Sequence, residues 1–383
     1  MKELELNYFT LPEDEKALYF KTLEDQFGEF YAIAGAYGQS HPQLLDNAYN
    51  LALEYKGLSL KSSTLLRQSI QNGDDQELKE KYNHWLDLKN QISKQYASGV
   101  SPIALEQEAD KIEKELVQQS SLFNDYEKIK LIDWKQLQKE LKPNQVAIEF
   151  VRYDDKIDLV YNTEYVALLI TANCTHPTLV KLCSESDLEE ILGITQSNNL
   201  NYVNKVYGTN KTVKTALYEK VWKPLEPHLK GIDDVYYSPI GLLHKISFAA
   251  IGKADNMFLC DNYNLYLQTS TGKLVTEGEA VSSKKYEYVL FGGVEYNSDQ
   301  SQKEIWKFLP GTVEETQIIY NLLDQKKESV TSYMGKEASE QKFKESVGTA
   351  THIHLSTHGY FYPDPREVDY AMEKESINEE DLT

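Results

Sequence analysis

The chain has 383 residues, 41% of them hydrophobic, and a net charge of −20. That length is enough for two or three domains with a sizeable core, and the negative charge argues against nucleic acid or an anionic membrane surface as a partner, because phosphate repels it. Three cysteines (Cys174, Cys183 and Cys260) without a CxxC pattern, no apolar run of membrane-spanning length, and a start, MKELELNYFTLPEDEK, without the basic-then-apolar order of a secretory signal lead to the expectation of a reducing cytoplasm and no membrane contact.

Residues 1–142 read as helices. In SPIALEQEADKIEKELVQQ, Ser101 is the expected N-cap and Pro102 the first helical residue, and Leu105, Ala109, Ile112 and Leu116 fall on one stripe. The preceding segment places Leu78, Tyr82, Trp85, Ile92 and Tyr96 on a similar face, so the two predict an antiparallel hairpin. LLDNAYNLALEYKGLSL is a further apolar helix. No period of about 34 residues recurs, so the chain holds no clear tetratricopeptide array, although these hairpins fit the end of one.

The pattern changes near Pro143. VAIEFVRY, IDLVY and YVALLIT read as a meander of three strands, followed by helices around Asp187–Leu192 and Thr212–Leu225. DDVYYSPIGLLHKISFAAI reads as strand, turn and strand, and residues 277–285 as a polar connector. YEYVLFGGV is then a continuous apolar strand of the kind buried on both faces. LPGTVEETQIIYNLL predicts a helix with Thr312 and Glu315 at capping-box spacing and with Ile318, Ile319, Leu322 and Leu323 on its buried side. ESVTSYMG, ASEQKFKESVG and THIHLSTHG complete a strand–helix–strand–helix–strand order, and right-handed crossovers make such a sheet parallel.

Sites in open parallel sheets form beyond the carboxyl ends of the strands, and that is where His358 falls. Histidine titrates near neutrality, so a ring held there suits a general base, and Gly359 leaves a backbone N–H open to an oxyanion. His-Gly is also ordinary turn material. The HxHxxxH spacing of His352, His354 and His358 allows a metal, but no nearby carboxylate or cysteine completes a set, and no metal or cofactor is predicted. Ser356 shares a face with His358, a poor geometry for a dyad. The Gly292-Gly293 pair lacks the rest of a phosphate loop.

Taken together, FLPGTVEETQIIYNLL, MGKEASEQKFKESV and THIHLSTHGYF resemble the CHAT peptidase family, a caspase-like domain often found behind tetratricopeptide repeats. VYYSPIGLLHKISFAAI resembles that family's hairpin, with Ile240 departing from its usual acidic or amide residue, and the resemblance runs from about Asn47 to Thr383. It implies an α/β fold: an N-terminal helical region, 1–142, then a caspase-like CHAT domain, 143–383, with a mostly parallel central sheet and its C-terminal part missing. Within that domain 143–276 is an N-terminal subdomain and 286–383 the first part of the catalytic core. The resemblance assigns His358 as the base of a Cys–His dyad and puts Gly359 beside the oxyanion site. The family's nucleophile is a cysteine after the next core strand, and no cysteine follows His358 here. The expected function is a cysteine endopeptidase acting on a protein or peptide substrate, seen as a truncated chain. The alternative is a non-catalytic scaffold of the same fold. In either case the helical region is available to a regulatory protein partner. Arg366 and Lys303 are too few to predict a preference for aspartate.

Overall fold

The described residues up to 140 are mostly helical, as their apolar spacing predicts: α1 Glu13–Tyr37, α2 Gln43–Tyr55, α3 Leu58–Asn72, α4 Gln76–Ala97, α5 Ile103–Gln119 and α6 Trp134–Glu140. The computed structural model describes residues 8, 11–56, 58–97, 100–120, 132–157, 160–193, 199–209, 212–276, 285–296 and 307–358. The chain divides into two compact units, 1–278 and 279–383, with the boundary inside the 277–285 connector. Among the described residues no helix is long and apolar enough to cross a membrane.

α4 and α5 form the expected antiparallel hairpin. Lys81 pairs with Glu115 at 2.9 Å near one end, and Tyr96 donates to Glu106 at 2.6 Å near the other. Leu78, Tyr82, Leu116 and Val117 are buried between them together with Leu66 and Ile70 of α3. Helix α5 starts one residue later than expected, after Pro102, and no side chain caps it.

The sheet of the first unit is built on a long hairpin. β1 (Gln145–Ile157) and β2 (Val160–Thr171) pair antiparallel from Val146↔Thr171 to Ile157↔Val160, so of the short strand expected at 157–161 Ile157 belongs to β1, and Val160 and Tyr161 to β2. β3 (Thr178–Ser184) adds antiparallel to β2. Helices α7 (Glu185–Leu192) and α8 (Asn199–Val206) follow, then the small pair β4 (Gly208–Thr209) and β5 (Thr212–Val213). β6 (Asp234–Ser238) lies parallel to β1; after the pair β7 (Gly252–Ala254) and β8 (Met257–Phe258), β9 (Asn264–Leu267) lies parallel to β6. The order β3-β2-β1-β6-β9 is therefore mixed, a correction to the mostly parallel central sheet. The region read as a hairpin after β6 is also different. Gly241 has φ +53°, and its chain coils into 3-10 turns at Gly241–Lys245 and Phe248–Ala250, tied by Leu242 N–H to the Tyr165 hydroxyl at 3.0 Å.

Side chains alternate across β1 and β2, so each face buries its own core. Val146, Ile148, Phe150, Tyr165 and Ala167 face Leu188, Trp222, Leu225 and Phe248. Ala147, Val151, Val166, Leu168 and Ile170 face Tyr31 and Ala34 of α1, Tyr49 and Ala52 of α2, and Trp134 and Leu137 of α6. Asp133 caps α6, accepting the Gln136 N–H at 2.8 Å. After α9 (Lys273–Thr276) the first unit ends.

The second unit is the predicted strand–helix alternation: β10 (Glu287–Val294), α10 (Pro310–Gln325), β11 (Ser329–Gly335), α11 (Glu340–Ser346) and β12 (His352–Leu355). Among the described residues its three strands are all parallel, in the order β11-β10-β12. Helix α10 packs differently from the expectation. Ile318 is 60% and Leu322 51% exposed, whereas Thr312 and Thr316 are buried against β10. The glycine at 292 explains this: a Cβ there would meet Thr316 Oγ1 at 2.0 Å, so the helix lies too close to the strand for larger residues on its inner face.

Candidate functional site

Gly293 shapes the carboxyl end of β10. Its φ is +55°, a value that suits glycine, and the register with β11 shifts between Gly292 and Val294. Its N–H is donated to Thr312 Oγ1 at 3.0 Å, while that hydroxyl donates to the Leu309 carbonyl at 2.6 Å. Thr312 thus anchors a bulge in the strand. It does not cap the helix, which begins at Pro310.

β12 runs parallel beside β10 from Tyr288↔His352 to Phe291↔Leu355, and Ser356 N–H continues the ladder to the Phe291 carbonyl at 2.8 Å. His352 stacks on Tyr288 at 4.7 Å, at the amino end of the sheet. His354 and Ser356 share the face toward α10, as the alternation predicts. Ser356 donates to Glu315 Oε2 at 2.5 Å, and His354 Nε2 lies 3.1 Å from Glu315 Oε1. A buried serine engaged in this way ties strand to helix, and its hydroxyl is used by the carboxylate.

His358 follows at the carboxyl end of β12, where the sequence places it. Its Nε2 lies 2.6 Å from the Lys307 carbonyl oxygen. A carbonyl only accepts, so Nε2 carries the proton and the lone pair of the neutral ring is on Nδ1. Tyr296, two residues past β10, packs its ring at 5.0 Å from the imidazole. The Tyr296 hydroxyl accepts the His358 backbone N–H at 3.4 Å and bonds Thr357 Oγ1 at 2.6 Å. Lys307 and Tyr296 carried no motif in the sequence, and Glu315, expected in a capping box with Thr312, instead meets Ser356 and His354. The expected Gly359, together with Lys303 and Arg366, lies outside the described residues.

The three thiols belong to the first unit. Cys183 is buried, and desolvation, reinforced by Asp187, pushes its thiol up to about 12. Burial also raises Cys174, whose carbonyl accepts from Gln138 at 2.6 Å. Cys260 is exposed in the turn Leu259–Asp261.

Three parallel strands alternating with helices, and a histidine held at their carboxyl rim, define an α/β domain of the kind that carries acid–base sites at strand ends. Residues 211–383 match the CHAT domain, a caspase-like family, and the chain carries a CHAT domain over that span. The matched span takes in β5 to β9 of the first unit and the whole of the second. No curated protein matches the chain.

Proposed function

We propose that this CHAT domain is the histidine-bearing part of a cysteine-type endopeptidase with His358 as general base. One observation carries the reading: the Nε2 contact to the Lys307 carbonyl at 2.6 Å, which fixes the tautomer of a ring placed at the end of a parallel strand. In the proposed reaction Nδ1 takes the thiol proton and the thiolate attacks the peptide carbonyl carbon. The tetrahedral oxyanion then collapses, His358 returns the proton to the departing amine, and water hydrolyses the thioester. Gly359 N–H is the proposed oxyanion donor. None of Cys174, Cys183 and Cys260 is proposed as that thiol: burial raises the first two, which makes them poor nucleophiles, and Cys260 lies in the Leu259–Asp261 turn of the first unit.

The test is peptide hydrolysis or self-cleavage by the protein that includes that thiol, compared with His358→Ala. Removing a general base is expected to lower kcat by about 10²–10⁴-fold. Undiminished hydrolysis by His358→Ala sinks the assignment. A second reading, a non-catalytic scaffold, is favoured by the same raised thiols, and it predicts no hydrolysis from the unaltered protein.

A further inference from the structure

We infer that Tyr296 is a positioning residue of this site, holding the His358 ring on the Lys307 carbonyl; this rests on the reading of His358 as a base. Tyr296 touches the histidine in two independent ways. Its hydroxyl accepts the His358 N–H at 3.4 Å, which fixes the backbone from which the ring projects. Its ring lies 5.0 Å from the imidazole at an interplanar angle of 53°, which limits rotation of the side chain. The same hydroxyl bonds Thr357 Oγ1 at 2.6 Å; since it accepts from His358, its own proton is available to Thr357.

The fold delivers Tyr296 to this place through the bulge at Gly293. The extra residue re-aims the end of β10, and the chain re-pairs once, through Glu295 N–H to the Gly335 carbonyl at 3.3 Å. Tyr296 comes directly after that bond. Thr312, which anchors the bulge, therefore acts on the histidine through the strand.

The experiment uses the 383-residue chain and needs no turnover. Histidine ring nitrogens are isotope-labelled and read by NMR at a pH where the rings are neutral, and the His358 signals are identified by their loss in His358→Ala. The unaltered chain is expected to show a single His358 tautomer with the proton on Nε2. Tyr296→Leu, which removes both contacts, is expected to give a mixture of the two tautomers. Tyr296→Phe, which keeps the ring and loses the hydroxyl, is expected to fall between. A Tyr296→Leu spectrum with the single tautomer retained overturns the inference; if that variant does not fold, an unchanged Tyr296→Phe spectrum does so. Should Tyr296 control the tautomer in a protein that hydrolyses no peptide, the endopeptidase reading fails and the positioning role stands.

Discussion

Gly292 has no room for a side chain. An added Cβ would meet Thr316 Oγ1 at 2.0 Å and the Thr312 carbonyl oxygen at 2.7 Å. The hydroxyl belongs to a side chain, but the carbonyl is helix backbone and cannot turn aside. Gly292→Ala is therefore expected to lose about 1–3 kcal/mol, as overpacking of a close contact does, read as a lower urea midpoint for the second unit. Adding Thr316→Ala removes the nearer atom only, so it should restore part of the loss; full restoration would show that the Thr312 carbonyl is not in the way. The sequence marks this glycine pair as the end of a strand, but the reason for it lies across the strand, in the approach of α10. His358 shows the same limit. Its position was legible, because a strand pattern ends at His-Gly. Its partner was not: the contact is to a backbone oxygen 51 positions away, and a main-chain carbonyl leaves no residue-type signal.

Helix α2 ends where a charge enters an apolar layer. Glu149 lies on the β1 face that carries Ala147 and Val151, fully buried, and Lys56, just past α2, reaches it at 2.9 Å. Lys56 also donates to the Ser238 carbonyl at 2.7 Å, and Glu149 accepts from the Thr271 N–H and hydroxyl, each at 2.7 Å. Taking away one partner leaves a buried carboxylate without its cation. Lys56→Ala is thus expected to cost about 3–5 kcal/mol, measured by urea unfolding of the first unit. Lys56→Met with Glu149→Gln removes both charges, while the amide oxygen that replaces the carboxylate can still accept from Thr271. The double variant should therefore be more stable than Lys56→Ala alone. A double variant no more stable than the single one would deny that the orphaned charge is the cause. At this scale the sequence was readable wherever one face is apolar and the other wet. The α4–α5 hairpin follows from that rule, and β10 follows from its continuous apolar run. The rule fails for α10, whose Ile318 and Leu322 suggest the buried side although Thr312 and Thr316 occupy it. It fails again at β1 and β2, where polar residues at the hairpin tip look like a break between strands.

Across the molecule, the first unit concentrates buried and half-buried tyrosines, and these set its response to alkali. Tyr31, Tyr49 and Tyr55 are all raised, with desolvation the largest cause in each, and burial pushes Tyr165 up to about 12. A phenol whose folded pKa lies above its unfolded value binds its proton more tightly in the folded chain. Its contribution is complete below the unfolded value, about 10, and is lost as pH rises above it. Lys56 acts in the opposite sense. Desolvation lowers it, so between its folded value and its ordinary one the unfolded chain holds more protons and stability rises with pH. These four tyrosines, joined by others of the unit that are also raised, oppose Lys56, and the phenols govern above pH about 10. Tyrosinate absorbance from the buried set should therefore appear in one cooperative step, together with the loss of the buried Trp134 and Trp222 fluorescence signature. A gradual rise of tyrosinate with the tryptophan signal unchanged would mean that these phenols ionise in place, and that the face between α1, α2 and β1 is open to hydroxide.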